Sequence, residues 1–312
     1  MYRFTRGRYT LFSRKLMIHP QDISFVVQGP IVNEESLNTL LVLKSIRKHY
    51  KGATIILSTW DTENTNELDY DLLIKQQAPE VLNTVYSEQC NVNRLLVSSQ
   101  HGLEKVKTPY AVKTRTDIVF TSSHLCGFQF DDKAVLFESK IVLLNYFSRN
   151  PYKQFVKHGI GLLFHPSDIF LFGKTKAVQK FFSAERAETS ILNNINGNAP
   201  IFPEQYLLMS LLIREGLLTD YHNSRLKSNS EFTHLSEKIF IENFKIHNPN
   251  QLGITIPKRI ISGWHADSIY TENELIKSKY FSILKAIYYC KIYPIFIKIK
   301  KLANDKNQSR IV

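Results

Sequence analysis

The hydrophobic positions of the first 120 residues predict alternating strands and helices. Residues 23–27 and 54–57 are short, nearly continuous apolar runs rich in β-branched side chains, a pattern typical of strands buried on both faces of a parallel sheet. Residues 33–50 between them have apolar side chains at helical spacing, with Asn33 as a candidate N-cap. The chain continues with a candidate strand at 84–86, a helix at 91–107 and a strand at 110–120. These segments predict an open, doubly wound α/β sheet, whose ligand lies beyond the carboxyl ends of the strands.

The pattern becomes mixed in the second half of the chain. It predicts strands at 134–137, 168–172 and 259–264, and helices at 174–182 and 204–215. Residues 281–302 are apolar and aromatic, but five lysines and Pro294 interrupt them. That density of charge argues against a spanning helix and favours a segment that lies in a membrane interface. We therefore predict a basic N-terminal segment (1–20), an α/β domain (21–270) and a helical, basic and aromatic membrane-associating tail (271–312).

Charge is concentrated at the two ends of the chain. The net charge is +12, but residues 1–15 contain five basic and no acidic side chains, and residues 276–312 contain nine basic side chains and one acidic side chain. The middle is therefore nearly neutral, and a basic groove for nucleic acid is not expected. The three cysteines lack zinc-ligand spacing and indicate reduced, buried thiols of a cytosolic protein. The N-terminus lacks the apolar run of a secretory signal, so export is not expected.

The most distinctive local pattern is the segment YAVKTRTD at residues 110–117. Strand alternation places Lys113, Arg115 and Asp117 on one face as the strand approaches its carboxyl end. Charges on a central strand are costly unless something pairs with them. A diphosphate with a divalent ion would pair with all three, with Asp117 as the metal ligand and the two cations on the phosphates. The alternative is an internal ion pair between Arg115 and Asp117 on an ordinary strand.

Two other strand ends carry candidate nucleotide-binding residues. Gln28, Gly29 and Pro30 end the first strand, where glycine permits close approach of a ligand to the backbone and proline stiffens the loop. Trp60 and Asp61 end the second strand, where an indole could stack on a base and a carboxylate could bind ribose hydroxyls. The alternatives without a functional role are a plain turn at residues 28–30, a core position for Trp60 and a helix cap for Asp61.

Polar residues at other element boundaries extend this set. Asn93 and Arg94 open a helix whose positive end favours phosphate, although a cap and a solvated arginine also explain them. His165 and Asp168 precede an apolar strand and are candidates for the acceptor side, or for an ordinary turn. Glu204 begins an apolar helix. The positive end of this helix would keep the carboxylate ionised for general-base catalysis. The alternative is that the carboxylate simply stabilises the helix.

Seven short motifs together carry a family resemblance. They are FVVQGPI, ILSTWD, NVNRLLVSSQHGL, YAVKTRTDIVF, FHPSDIFLFG, FPEQYL and SGWH, in this order between residues 20 and 265. Their order and spacing resemble the WavE lipopolysaccharide-synthesis family, which is regarded as glycosyltransferase-like; both basic ends lie outside the resemblance. The resemblance implies a GT-A fold, in which a Rossmann-like nucleotide half and an acceptor half share one continuous sheet.

The resemblance also implies roles for the candidate residues. Arg115 stands where the first aspartate of the Asp-x-Asp metal motif would be, and an arginine can itself neutralise a leaving diphosphate. A divalent ion, Mg²⁺ or Mn²⁺, is therefore expected as an optional cofactor. Direct displacement at the anomeric carbon would invert its configuration; a retaining mechanism is the alternative, and it would remove the role of base from Glu204. The implied features are a donor loop at 28–30, a metal motif that ends at Asp117, a late metal-ligating histidine at His265, and a catalytic base at Glu204 with Asp168 as the next candidate.

Two classes of function remain open at this point. One is a glycosyltransferase that acts on a lipopolysaccharide or capsule-type glycan; the other is a non-catalytic nucleotide-binding or scaffold subunit of a polysaccharide assembly complex, which the incomplete metal motif favours. A nucleotidyltransferase would need a glycine-rich phosphate-binding loop, and the sequence has none. The expected partners are a nucleotide-sugar donor, a glycan or glycolipid acceptor and an anionic membrane surface, with no nucleic acid. The expected location is peripheral, on the inner face of the cytoplasmic membrane.

Overall fold

The computed structural model describes residues 17–34, 37–130, 132–193, 200–226, 230–262, 268–274, 284–285 and 287–295. Their strands are β1 (Ile23–Gln28), β2 (Thr54–Trp60), β3 (Leu72–Gln76), β4 (Leu82–Thr84), β5 (Ser87–Cys90), β6 (Tyr110–Arg115), β7 (Val119–Phe120), β8 (Ile141–Leu144), β9 (Leu171–Lys174), β10 (Phe244–His247) and β11 (Ile254–Thr255). Their α-helices are α1 (Thr39–His49), α2 (Val92–Glu104), α3 (Pro151–His158), α4 (Thr175–Phe181), α5 (Thr189–Asn193), α6 (Pro203–Arg214), α7 (Ser230–Asn243), α8 (Pro249–Leu252) and α9 (Lys258–Ile261).

Within the described residues, seven strands form one continuous sheet in the order β3-β2-β1-β6-β9-β8-β10. β3, β2, β1 and β6 are parallel to one another, and β8 is parallel to β10. β9 runs antiparallel to both of its neighbours. The start of β9 therefore lies at the same edge as the carboxyl ends of β1, β2 and β6. This arrangement confirms the predicted α/β class, because a Rossmann-like parallel half and a second half share one sheet.

Apolar layers cover both faces of the sheet. Buried residues of α2, α4, α6 and α7 belong to one layer, and those of α1, α8 and α9 belong to the other. Every residue of β1 and of β8 is buried, as expected for strands covered on both faces. Each layer contains side chains from both halves: Val26 and Leu171 lie in the first layer, and Val27 and Phe172 lie in the second.

A glycine allows α2 to pack directly on β1. A Cβ atom built on Gly102 would lie 2.4 Å from Cγ1 of Val26, so a larger residue would force the helix or the strand to shift. Gly102 lies near the end of α2, and Ser98, one turn earlier in the helix, contacts Gln28 at the carboxyl end of β1. The N-terminus of the helix is thereby brought to the edge of the sheet where a ligand is expected.

Several predicted strands differ from the structure. Residues 84–86 lie at the end of β4 and in the turn of the hairpin that pairs β4 with β5, apart from the main sheet, whose third parallel strand is β3. Residues 134–137 contain bends and no strand. The segment predicted as a strand at 259–264 begins in the helix α9, and residues 263–264 lie outside the described residues.

Two element boundaries also differ. α1 begins at Thr39 rather than near Asn33, because the side chain of Asn38 caps the helix by accepting a hydrogen bond from the amide of Leu41 at 2.8 Å. The strand predicted at 110–120 ends at Arg115 and resumes as β7, which pairs with β11 in a separate two-stranded sheet. Asp117 therefore lies in a turn beyond the strand.

The described part of the C-terminal tail packs against the protein with one side only. A π-helical turn spans Tyr288–Ile292. The ring of Tyr289 lies 4.8 Å from that of Tyr152, and Tyr293 contacts Phe155. In the described ranges, no helix has the length and apolar character needed to cross a membrane. The apolar side chains exposed on the opposite side are Leu284, Ile287, Tyr288, Ile292 and Ile295.

Candidate functional site

A cavity of about 690 Å³ opens at the edge of the sheet where the parallel strands end. Its walls come from the loops after β1, β2 and β6, the beginnings of α2 and α6, the segment before β9, and α9. The volume lies in the range of small-molecule sites, roughly 300–1,000 Å³. The cavity thus brings together residues from both halves of the sheet. The lining residues that the sequence singled out are Gln28, Gly29, Pro30, Trp60, Arg94, Arg115, Asp168 and Glu204.

The loop after β1 is held against the end of β6. Gly29 has a φ of +119°, a left-handed conformation that glycine tolerates best. The hydroxyl of Thr116 donates a hydrogen bond to the Pro30 carbonyl at 2.7 Å. The hydroxyl of Ser98 donates to the side-chain carbonyl of Gln28 at 2.6 Å. These contacts pin a loop whose glycine lets a ligand come close to the backbone.

Of the four predicted residues after β2 and at the start of α2, two reach the cavity. Trp60 is almost completely buried but lines the wall. Arg94 also lines it, and its Nε donates to the Pro79 carbonyl at 2.8 Å. Asp61 is exposed and outside the lining. Asn93 is buried elsewhere, because its amide both accepts from and donates to the main chain of Ala187, at 2.7 and 2.9 Å.

Two guanidinium groups share one buried carboxylate beyond the end of β6. Arg115 donates from Nε and Nη2 to the two oxygens of Asp117, each at 2.9 Å. Arg259 of α9 donates from Nη2 to one of the same oxygens. The Asp117 side chain is 1% exposed, whereas those of Arg115 and Arg259 are 36% and 51% exposed. The internal ion pair of Arg115 and Asp117 that the sequence allowed is therefore present, with Arg259 as a second cation, and both arginines line the cavity.

Lys113 lies in the core and outside the cavity lining. Its ammonium group donates to the main-chain carbonyl of Asp168 and lies 5.1 Å from the centroid of the Phe182 ring. The residue is fully buried, and burial lowers the pKa of Lys113 to about 8. Its role in the structure is to hold the segment before β9 against β6.

Glu204, at the beginning of α6, is a buried carboxyl group of the cavity wall. The residue is 8% exposed. Burial, together with the negative charge of Asp168, raises the pKa of Glu204 to about 8, although the charge of Arg149 acts in the opposite direction. Asp168 lines the same cavity and also acts electrostatically on Arg115. A carboxyl group with a pKa near neutrality can accept a proton from a hydroxyl more readily than an ordinary carboxylate.

His165 lies behind Glu204 as a neutral imidazole. Its Nδ1 donates to the Phe147 carbonyl at 3.0 Å, because a carbonyl can only accept. Its Nε2 lies 3.6 Å from Oε2 of Glu204. Burial and then the charge of Arg149 hold the pKa of His165 well below its usual range. The imidazole is outside the cavity lining, and at 3.6 Å it packs behind the Glu204 carboxyl group without a hydrogen bond to it.

The described residues do not provide the divalent-ion site predicted at Asp117. Both oxygens of this carboxylate already accept hydrogen bonds from arginines. Within the described ranges, no group of three His, Cys, Asp or Glu side chains could hold a metal ion. His265, the other predicted ligand, lies outside the described residues. The guanidinium N–H donors that surround Asp117 therefore suit an anionic ligand rather than a metal cation.

Sequence reasoning missed two arginines of this region. Arg259 belongs to a segment predicted as a strand, although Pro257, two positions earlier and the N-cap of α9, is a helix-start signal that could have corrected the assignment. Arg149 is 1% exposed, and nothing in the local sequence distinguishes it from a surface arginine. Only the tertiary structure places Arg149 near Glu204.

Comparison with known families agrees with this geometry. The family model described as WavE lipopolysaccharide synthesis matches residues 23–303. The match continues beyond residue 265, where the motif resemblance ends, so most of the basic tail is part of the family and the expectation that it lies outside was wrong. No curated protein matches the chain. Every lining residue of the cavity falls inside the matched range, and the chain belongs to the WavE lipopolysaccharide synthesis family.

Proposed function

We propose that this protein is a glycosyltransferase that moves a sugar from a nucleotide-sugar donor to a lipopolysaccharide or capsule-type glycan. The observation that carries the proposal is the cavity, because it combines three arginines, at the edge of the sheet where the parallel strands end, with a buried carboxyl group of raised pKa. Arginines at this edge suit the diphosphate of a donor, and such a carboxylate suits deprotonation of an acceptor hydroxyl. Membership of a lipopolysaccharide synthesis family agrees with this chemistry.

The donor would occupy the side of the cavity formed by the parallel half. The indole of Trp60 offers a stacking surface for the base. Glu63 lines the cavity after β2, whereas Asp61 does not, so Glu63 is the better candidate to bind ribose hydroxyls. The diphosphate would lie between the Gly29 loop and Arg115, where a planar guanidinium can donate two hydrogen bonds to phosphate oxygens.

Glu204 would act on the acceptor from the second half of the sheet. An acceptor hydroxyl gives its proton to the Glu204 carboxylate while its oxygen bonds to the anomeric carbon of the donor sugar. The bond from that carbon to the diphosphate breaks, and the electron pair leaves with the nucleoside diphosphate, whose charge Arg115 neutralises. The attack comes from the face opposite the leaving group, so the configuration at the anomeric carbon inverts. Asp168 supports the reaction through its charge, which strengthens Glu204 as a base.

We propose a peripheral location on the inner face of the cytoplasmic membrane. The exposed apolar side of the tail, defined above by its five residues from Leu284 to Ile295, is accompanied by nine basic residues in 276–312. An apolar strip next to lysines is typical of segments that bind anionic lipid. Two aromatic residues of the predicted membrane-associating tail, Tyr289 and Tyr293, pack on the protein rather than on its exposed apolar side.

The proposal is tested with the purified full-length chain and UDP-, GDP-, CMP- and dTDP-sugars. A donor that binds only the folded state raises the free energy of unfolding by about 2.7 kcal/mol at a hundredfold excess over its Kd, which a thermal-shift assay detects. Release of the nucleotide in the presence of acceptor glycan, and its loss in Glu204→Gln, would support the transferase. Donor binding without turnover would support the alternative, a non-catalytic scaffold subunit; the pairing of Asp117 with arginines, which leaves no metal ligand there among the described residues, favours this alternative. The absence of any thermal shift would contradict both functions.

A further inference from the structure

We infer that Arg115 and Arg259 form a diphosphate-binding clamp that works without a divalent ion, and that Asp117 is a positioning residue that holds the two guanidinium groups. This inference rests on the proposed function and deepens it, since it names the anion that the cationic wall binds. It also assigns a role to Arg259, which the motifs of the sequence did not indicate.

The Asp117 carboxylate holds both arginines through hydrogen bonds. Its two oxygens accept two hydrogen bonds from Arg115 and one from Arg259. The two arginines approach from different elements, one at the end of β6 and the other in α9, and both line the cavity. A carboxylate that is 1% exposed and already receives three donors has no free lone pair directed at a ligand. It can fix two guanidinium planes at the cavity wall.

Arg115 and Arg259 carry more positive charge and more N–H donors than Asp117 can pair with. One Asp117 carboxylate neutralises only one of the two guanidinium groups that contact it. Two other described acids act on these arginines: the exposed carboxylate of Glu34 lies 3.9 Å from Nη1 of Arg259 and contributes little, and Asp168 acts on Arg115 through its charge without an ion pair to it. A guanidinium has five N–H donors; Arg115 uses two of them on Asp117, and its Nη1 makes no hydrogen bond with a described residue. Positive charge and unused donors therefore remain at the cavity wall.

The chemistry of the ligand follows from this arrangement. Two guanidinium groups held side by side present parallel donors that match the oxygens of a diphosphate. They also supply the positive charge that a leaving diphosphate needs, in the place where a metal ion would otherwise supply it. A divalent ion at Asp117 would have to displace both arginines, and the described residues offer it no second carboxylate there.

The test is calorimetric titration of the full-length protein with inorganic pyrophosphate, first in EDTA and then with Mn²⁺. We expect the same affinity within about threefold in both conditions. Arg259→Ala should weaken binding by about ten- to a hundredfold, the usual effect of one charge-assisted hydrogen bond. Arg214→Ala is the matched control, because Arg214 is exposed at the opposite end of α6 and contacts Ser183; its affinity should not change.

Asp117 is tested by a double-mutant cycle. Asp117→Asn should weaken pyrophosphate binding in the wild type and should have a clearly smaller effect in the Arg259→Ala background, because the carboxylate acts partly through that arginine and partly through Arg115. Additive losses would show a merely structural role and overturn the positioning assignment. Should Asp117→Asn fail to fold, Asp117→Glu replaces it in the same cycle.

The outcomes separate this inference from the proposed function. Pyrophosphate binding in EDTA that depends on Arg259 supports the clamp even if no sugar is transferred. Binding that appears only with Mn²⁺, or that is unchanged in Arg259→Ala, overturns the clamp even if the protein proves to be an active glycosyltransferase.

Discussion

Arg115 and Asp117 form a two-point ion pair just beyond the central strand β6, with Nε and Nη2 of the arginine each 2.9 Å from a carboxylate oxygen. The carboxylate is buried, while about a third of the Arg115 side chain is exposed to the cavity. The pair therefore has two consequences, one for the stability of the site and one for its charge.

The first prediction concerns stability. Asp117→Asn removes the charge that neutralises Arg115 and Arg259. Breaking a fully buried pair costs about 3–5 kcal/mol, but both arginines are partly exposed, so we expect a loss of about 1–3 kcal/mol in the free energy of unfolding. Urea denaturation of the ligand-free protein measures this. Asp61→Asn, at an exposed site, is the control, and an unchanged midpoint in Asp117→Asn would refute the prediction.

The second prediction concerns Glu204. If this residue is the general base, Glu204→Gln keeps the affinity for the donor while turnover falls by about 10² to 10⁴. Steady-state kinetics with a fixed acceptor measures both quantities. Glu63→Gln, on the wall after β2, should show the opposite behaviour, with a raised KM for the donor and little change in kcat. A loss below tenfold in Glu204→Gln would move the role of base to Asp168.

The third prediction concerns the pH dependence of stability. The pKa of Glu204 is raised from 4.5 to about 8 in the folded protein. Between these two values the folded protein holds a proton that the unfolded chain has lost, so the contribution of Glu204 to stability decreases as pH rises through this window and levels off above pH 8. The difference in the free energy of unfolding between the wild type and Glu204→Gln should therefore decrease as the pH rises from 4.5 to about 8. A constant difference from pH 5 to 9 would show that Glu204 titrates normally.

The same titration should appear in catalysis. Because the base must be ionised, kcat/KM should increase tenfold per pH unit below about pH 8 and then become constant. The measurement uses the free enzyme at donor concentrations well below KM. A rising limb near pH 4.5 would indicate that the Glu204 carboxyl group keeps its ordinary pKa.

A further prediction concerns the membrane. Replacing Ile292 and Ile295 together by aspartate should release the protein from anionic vesicles, since both side chains are exposed on the apolar side of the tail. Sedimentation with vesicles at low and high salt measures binding. Val135→Asp is the control, because Val135 is equally exposed outside the tail. Equal pelleting of the wild type and the double variant would contradict tail-mediated attachment.

The ends of the parallel strands could be predicted from the sequence, and most of the donor side of the site with them. β1, β2 and β6 are largely buried. The apolar runs of β1 and β2 are followed directly by polar residues of the strand ends, and the alternating charges of β6 mark the approach to its carboxyl end. β3 was missed because it is an edge strand whose residues are only partly buried, and β8 because its four apolar residues are too few to show a period.

The electrostatics of the site could not be predicted. The pairing of Asp117 with Arg259 joins residues 142 positions apart, and no local pattern indicates such a contact. The raised pKa of Glu204 depends on burial by several elements and on Asp168. Alternation along β6 suggested that Lys113 and Arg115 share one environment. In the structure, Lys113 is buried in the core, whereas Arg115, at the end of the strand, lines the cavity.

The apolar layers on the two faces of the sheet have a consequence for how the protein moves. Because each layer contains side chains from the parallel half and from the second half, swinging one half against the other would open both layers to water at once. We therefore expect the two halves to unfold together in one transition. On the proposed function, we expect substrates and products to pass through movements of the short segments that follow the strands, and not through a hinge between the two halves.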